Sequence, residues 1–458
     1  MQGCFFIAIV FPFFVVSFFF VSLQFEIGHF YMKRTLVFLT VTAMIGIQSV
    51  SCKTPVSQPV DSEEMMIQVD TPYDSISRNV TLTDQQKNFV ADNNAFTLKF
   101  LKMVNDADNS GKSFVYSPLS ITYVLSMVNA AAEGTTRTEL QHTLGFGNGE
   151  IKDVNGFCKA LIDGLPKVDT SVQIHIANAI YLNKNYTLKK QFQQDMKGYY
   201  GANAESLNFS SPKTLNRIND WCKKKTKGMI PGILDEVNPE AVSYLLNAIH
   251  FKAAWTNPFK ERNTKMENFT TENGPEKMPL MQQWEDYRYM RNKVFAAVDL
   301  PYGNKKWSMT VLLPEKGKSV SDVIDYLAKE GTSFLSHMKR RDIDLKLPSF
   351  ETESTTEDLV ETLKKMGIIR AFDNSQAEIR NMCNRDVFIS YMLQKARIKV
   401  DENGSEAAAV TEVEIFCLSA SDEEPVPPII FHANRPFVYL IREASSDVIL
   451  FVGKFTGK

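Results

Sequence analysis

The stretch that decides the fold is Lys399-Val-Asp-Glu-Asn-Gly-Ser-Glu-Ala-Ala-Ala-Val-Thr-Glu-Val-Glu-Ile-Phe-Cys-Leu-Ser419. From Ser405 onward its odd positions are Ser405, Ala407, Ala409, Thr411, Val413, Ile415 and Cys417: uncharged, small at first, then larger and more apolar. Its even positions carry Glu406, Glu412 and Glu414 among Ala408, Val410, Phe416 and Leu418. Successive side chains of a strand point to opposite faces, so this period-2 pattern describes a strand with one face fit for burial. The same stretch has loop features. Gly404 interrupts it early, and Ser419-Ala-Ser-Asp-Glu-Glu-Pro-Val-Pro-Pro428 beyond it is polar, acidic and rich in proline. A segment that reads as strand and as exposed loop is expected to occupy both states; the plainer reading is an ordinary strand followed by a linker.

Working outward, Thr83-Asp-Gln-Gln86 forms a capping-box pattern ahead of a helical stripe made by Phe89, Val90, Phe96, Phe100, Leu101 and Val104. Ser117-Pro118 supplies a cap and a first-turn proline for a buried helix running to Ala132. Gly134 ends that helix and a shorter one follows. Val172 to Leu182 alternates as a strand, and Ala241 to Phe251 is nearly continuous apolar sequence of the kind buried on both faces. Pro212 to Lys227 reads as a helix with a basic end. Further strands are expected at 295–300, 307–313, 342–347, 387–400, 437–441 and 448–455, and a helix at 356–366 closed by Gly367. Many strands and about eight or nine helices without strict alternation imply an α+β domain.

Several separated motifs resemble the serpin family. Glu402-Asn-Gly-Ser-Glu-Ala-Ala-Ala409 resembles the hinge of its reactive-centre loop, and Phe431-His-Ala-Asn-Arg-Pro-Phe437 the signature that follows. Phe114-Val-Tyr-Ser-Pro-Leu-Ser-Ile121, Asn178-Ala-Ile-Tyr181, Leu246-Asn-Ala-Ile-His-Phe-Lys-Ala-Ala-Trp255, Asp299-Leu-Pro-Tyr302 and Leu347-Pro-Ser-Phe350 are similar to family motifs in the same order and spacing. The resemblance covers residues 84–458, with the loop at about 402–430, and implies the serpin fold of three β-sheets. It also implies a suicide inhibitor: a protease attacks the loop, forms an acyl-enzyme and is trapped when the cleaved loop inserts into the main sheet. Glu402, Gly404, Ser405, Ala407 and Ala409 would be the hinge. Ser117, Ser120 and Asn247 would form the polar shutter beneath the opening sheet, with Trp255 at its top. Where the family commonly has a shutter histidine, counting back from the hinge reaches Gln394, an amide that both donates and accepts.

By the family's usual count from Glu402 the reactive bond is Leu418-Ser419, with Phe416 and Cys417 as neighbouring candidates. No Lys or Arg lies between Lys399 and Arg435, so a trypsin-like pocket has no cation to bind. The expected partners are chymotrypsin-, elastase-, subtilisin- or papain-like proteases, met by a monomer with no cofactor. The alternative is a non-inhibitory member acting as a ligand carrier or chaperone; such members typically carry charged, bulky or proline residues on the inward hinge face, and this hinge has none.

A hydrolase is disfavoured because the chain has no Gly-x-Ser-x-Gly elbow, His-Glu-x-x-His pair or phosphate-cradling loop. A net charge of −2 gives no case for nucleic acid or an anionic membrane. The run Lys223-Lys-Lys-Thr-Lys227 is short and reads as a solvated helix face more readily than a polyanion site. The six cysteines have neither zinc spacing nor a disulfide framework.

The N-terminus has its own composition. Residues 1–31 hold ten of the 32 phenylalanines and are read as a mis-assigned start, the alternative being a membrane span. Residues 32–51 form a bacterial-type signal peptide opening on Met32-Lys-Arg34. Gln48-Ser-Val-Ser-Cys52 resembles a lipoprotein processing site, although Ser49 stands where Leu is usual. Acylated Cys52 and a disordered tether over 52–83 are expected, in preference to plain cleavage. That places the protein outside the cytoplasm, at the cell envelope or outer surface or secreted, touching a membrane only through the lipid.

Overall fold

Thr83 opens the first long helix, Asp84–Ala107, as its capping box requires: its hydroxyl accepts from the Gln86 amide at 3.3 Å and its own amide donates to Gln86 Oε1 at 3.0 Å. The computed structural model describes residues 8–11, 14–23, 34–40, 79–356, 359–405 and 427–457. The N-terminal unit is Met1–Thr71. In it Ala8–Phe11, Phe14–Leu23 and Arg34–Thr40 pair as an antiparallel sheet. Among the described residues no helix is long and apolar enough to cross a membrane. Cys52 and the tether as far as residue 78 lie outside them.

In the second unit the main sheet has six strands in the order Phe350–Thr356, Tyr391–Asp401, Gly404–Ser405, Ser243–Ala254, Gln173–Asn183 and Asn203–Leu207. One face is covered by the helix Pro118–Ala131, in which every residue but Ala130 is buried. A helix buried on every side belongs inside a protein, and this one, mostly apolar, fills the space beneath the sheet. The other face carries a smaller apolar cluster that includes Ala177, Ala179, Tyr181, Tyr244, Leu246 and Leu393, covered by Ile218 and Cys222 of the helix Lys213–Lys225. The central strand is buried on both faces, as its unbroken apolar run predicts.

The remaining strands make one nine-stranded layer. Two of the three expected sheets are continuous because the 18-residue strand Gly274–Arg291 belongs to both. Its first part pairs with Lys265–Thr271, its middle with Lys339–Pro348 and its end with Phe295–Tyr302. Eight α-helices are found among the described residues.

Two expectations change. Of the helix read at 356–366, Leu359–Lys365 is helical among the described residues, and Thr356 instead ends the strand Phe350–Thr356, which is drawn into the main sheet by seven paired residues of Tyr391–Asp401. Tertiary pairing overrides local propensity there. Gly134 starts the helix Gly134–Leu144 and does not close the preceding one, whose cap is Ala132.

Candidate functional site

The two central strands of the main sheet are parallel neighbours only over part of their length. Tyr391 to Arg397 pair one for one with Tyr244 to His250, and there the ladder stops. Beyond it the strands part, and Gly404–Ser405 enters between them, antiparallel to both. Ser405 lies opposite Val400 on one side and Ala253 on the other, and Gly404 opposite Asp401 and Ala254. The chain therefore already turns back into the sheet at the start of the stretch that reads as strand and loop together.

Each residue at this entry is fixed there by its contacts. Gly404 has φ +147°, and a Cβ there would lie 2.1 Å from the Ala253 carbonyl oxygen, so no larger residue fits. Ser405 is fully buried, and its hydroxyl lies 2.7 Å from the Tyr302 hydroxyl. Burial pushes the Tyr302 phenol far above its usual pKa, so this contact stays neutral. Trp255 stacks on Tyr302 with ring centres 4.3 Å apart and planes at 9°. Its indole N–H donates to the Asp401 carbonyl and its backbone N–H to the Asn403 carbonyl, both at 2.9 Å. Glu402 is tied outside the sheet: its carbonyl accepts from the Phe259 amide at 2.8 Å and its carboxylate from the Thr264 hydroxyl at 2.6 Å. Glu402 thus anchors the turn, while Gly404 and Ser405 occupy the sheet. Ala407, Ala409, Phe416, Cys417, Leu418 and Ser419 lie outside the described residues.

Lower on the same seam, the residues expected as a shutter meet in one buried network. Gln394 Oε1 accepts from the Ser117 amide at 2.9 Å; Gln394 Nε2 donates to the Ser117 carbonyl and to Asn247 Oδ1, each at 2.9 Å. Ser117 Oγ donates to Ser120 Oγ at 3.2 Å. Asn247 Nδ2 continues to Asn178 Oδ1 at 2.8 Å. Asn178, Asn247 and Gln394 are register partners across three adjacent strands, so three amides bridge the sheet exactly where the central pair must separate if a strand is to enter. Such groups are costly to bury unless paired, and these are paired. Asn178 and Tyr302 were not singled out for these roles in the sequence. A polar residue inside an otherwise apolar strand was the available signal for Asn178; Tyr302 carried none beyond its motif.

The other candidates stand apart from the seam entry. Lys223, Lys224 and Lys225 form the exposed last turn of their helix, with Thr226 buried behind them. His175 and His250 stack at 6.0 Å on the opposite face of the sheet from the shutter. Burial, then Lys227 and His250, holds His175 below its usual pKa. Cys158, Cys222 and Cys383 are free and buried, and burial pushes the Cys158 and Cys222 thiols up to about 12. They are inert core residues. Among the described residues no group of three or more His, Cys, Asp or Glu could hold a metal.

Comparison with known proteins agrees with this architecture. Residues 91–457 match the family described as serpin (serine protease inhibitor). Serpin B10 of Bos taurus is 29% identical over 393 residues, covering 79% of this chain and 97% of that one. An uncharacterized serpin-like protein of Thermococcus kodakarensis is 28% identical over 435 residues, covering 92% and 98%. Among solved structures, the thermophilic serpin tengpin in its native state is similar with a TM-score of 0.74 and 28% identity, covering 83% of this chain and 96% of that one. Human thyroxine-binding globulin complexed with its ligand has a TM-score of 0.71 at 28% identity, covering 81% and 97%.

Proposed function

The chain belongs to the serpin family, whose members are mostly protease inhibitors, and we propose that it is an inhibitory member: an irreversible trap for endopeptidases of apolar specificity. The observation that carries this reading is the pair Gly404–Ser405 standing between the two central strands, antiparallel to both. The fold alone does not entail inhibition, since the similar thyroxine-binding globulin was solved with a small ligand. The hinge supports it.

Extending the ladder explains how. Each step forward along the loop is one step back on both neighbours, and the offset between the two central strands is the same in their own pairing as in their pairing with Gly404–Ser405. An inserting loop therefore stays in register with both. Ala407 falls between Phe251 and Ile398, Ala409 between Ile249 and Ala396, and Thr411 between Asn247 and Gln394. The odd, uncharged residues face the buried helix, and Thr411 brings a hydroxyl, able to donate and accept, to the amide bridge it interrupts.

Insertion replaces one parallel ladder, the less stable kind per residue, by two antiparallel ones. At about 1 kcal/mol net per added bond, with burial of Val413 and Ile415, the gain is on the order of 10 kcal/mol or more. The chemistry is the target's: its own nucleophile forms the acyl-enzyme, and this chain supplies the substrate bond and the motion. With no Lys or Arg between Lys399 and Arg435, Leu418 or its neighbour Phe416 suits the apolar pockets of chymotrypsin-, elastase-, subtilisin- or papain-like enzymes.

The test is to mix the protein with such proteases and separate the products in boiling detergent. A covalent complex, with release of a peptide beginning at Ser419, is expected. Complete cleavage with no complex from any of the four classes would refute inhibition.

A further inference from the structure

The row where the closed ladder between the central strands ends carries titratable or charged side chains from four strands, on the face away from the shutter. His175 is the register partner of His250, His250 of Arg397, and Arg397 of Glu353. The two imidazoles stack at 6.0 Å with planes at 14°. His250 is buried and His175 half-buried, and His175 Nε2 has no hydrogen-bond partner among the described residues. The Arg397 guanidinium binds Glu351 at 2.6 Å and donates to the Met229 carbonyl at 3.5 Å, in the segment that follows the helix Lys213–Lys225. Glu351 and Glu353 stand on the strand beyond Arg397, and Glu353 is held by Lys395 at 3.0 Å. The histidines are therefore on the cation's side of that pair. Lys227 acts on His175 from the covering segment, and Lys252 and Lys399 follow two residues along the central strands, Lys399 reaching Asp401 at 3.7 Å.

We propose that the His175–His250 stack, set against Arg397 at the end of the closed ladder, is an acid-sensitive catch on the seam: a proton taken up by the stack places like charges across the two central strands, and the sheet opens more readily. The inference rests on strand insertion being the protein's working motion. Like charges directly opposite on neighbouring strands repel, and here the repulsion acts between the two strands that must part. Histidine is the side chain whose charge ordinarily changes between pH 7 and 5. His175 is held below its usual pKa by burial, then by Lys227 and His250. Parting the row carries Arg397 away and admits water, which brings the imidazole back toward about 6.5. The opened seam therefore binds the proton better than the closed one, and it is favoured as the pH falls below that value. The catch stands three residues from Asn247 and Gln394 on their own strands, so it loosens the rows that lead to the amide bridge and leaves the bridge itself intact.

A synthetic peptide of residues 406–415 competes for the strand position, so its uptake by the uncut, full-length protein measures how often the seam opens. The parent is compared at pH 7 and pH 5 with a His175→Asn/His250→Asn double variant and with Arg397→Gln. Uptake by the parent is expected to rise about two- to fivefold on acidification, and by less than about 1.5-fold in either variant. The peptide's own glutamates titrate alike in all three mixtures and cancel from the comparison. Arg397→Gln keeps both histidines and a side chain able to donate to Glu351, so loss of the pH dependence there reports charge across the seam and not damage to the fold. A parent indifferent to pH, or a rise that survives in either variant, would overturn the catch. A parent that neither takes up the peptide nor gains heat resistance when its loop is nicked by thermolysin, a zinc protease that forms no acyl-enzyme, would instead overturn insertion itself. The row is then judged by the melting temperature of the uncut proteins: a fall between pH 7 and 5 that is not smaller in both variants than in the parent would overturn the catch as well.

Discussion

Replacing Gln394 by Leu exchanges the side chain at the centre of the buried amide network for one of similar volume and makes the cost of its hydrogen bonds measurable. Gln394 makes three bonds, but their loss is unequal. The Ser117 carbonyl also accepts from the amides of Ser120 and Ile121, so it keeps partners. The Ser117 amide and Asn247 Oδ1, in residues 0% and 1% exposed, lose theirs. An orphaned buried group costs about 1–3 kcal/mol, so the uncut protein should lose about 3 kcal/mol. At an unfolding entropy of about 2.1 cal/mol/K per residue over roughly 380 folded residues, that is about 4 °C in Tm by calorimetry at one scan rate. After loop insertion Thr411 lies beside Asn247 and supplies a hydroxyl, so the cut protein should lose less and the gap between the two forms should widen. A Gln394→Leu protein that melts within about 1 °C of the parent would show that the amide bridge does not hold the closed sheet. Gln394→His gives a second reading. A buried neutral imidazole has a depressed pKa, so the stability it contributes is present above about pH 6.5 and lost as the pH falls below that value, whereas the amide does not titrate.

Ala407→Arg should leave the uncut protein folded but convert it from trap to substrate, since insertion would bury an unpaired charge between Phe251 and Ile398; a detergent-stable complex at parental yield would refute insertion. Ser405→Arg is not an equivalent test, because Ser405 is already buried in the uncut protein and its replacement should lower the melting temperature as well. His175 is held below its usual pKa by burial, then by Lys227 and His250. Its contribution is therefore complete above about pH 6.5 and lost on acidification, and His175→Asn should flatten the fall in melting temperature between about pH 7 and 5. Mass spectrometry of the mature N-terminus should show an acylated Cys52; an intact phenylalanine-rich leader would refute both the anchor and the start at Met32.

The sequence resolved the seam better than its surroundings. The capping box at Thr83 and the unbroken apolar run of the central strand each follow from one residue's neighbours in the chain, and each is present; the period-2 alternation beyond Ser405 lies outside the described residues. What escaped depends on residues brought together from far apart. Asn178 joins the shutter through antiparallel pairing with Asn247, and nothing within its own strand specifies that partner. Glu402 reads as part of the hinge because its motif resembles the family's, and its bonds to Thr264 and Phe259, which hold it at the turn beside the sheet, come from residues far away in the chain. The strand Gly274–Arg291 was missed because it is half-exposed along much of its length and has Trp284 65% exposed, so its apolar alternation is weak. Gln394 was placed by counting from the hinge, and its chemistry as donor and acceptor is what the structure uses.

Under the proposed insertion mechanism, these features explain why the uncut state persists although a better-bonded one would be available. The seam is open at the top, where Gly404 and Ser405 have entered, and closed lower down by seven parallel pairs and by the Gln394–Asn247 bond. To advance past Ala409 the loop must part that bond in a site from which water is excluded, and the hydroxyl of Thr411 can replace it only once the strand has arrived. The barrier is therefore concentrated at one row of the sheet, while the gain accrues over every row. Lengthening the hydroxyl's absence by Thr411→Val should separate the two. The rows above remain fillable, so nicked protein should still begin to insert, but Asn247 and Gln394 would be left facing a methyl group at a cost of about 1–3 kcal/mol per orphaned atom. Nicked Thr411→Val protein is thus expected to gain several degrees less heat resistance than the parent, while the uncut proteins melt together. Equal gains would show that the amide bridge finds other partners in the inserted sheet.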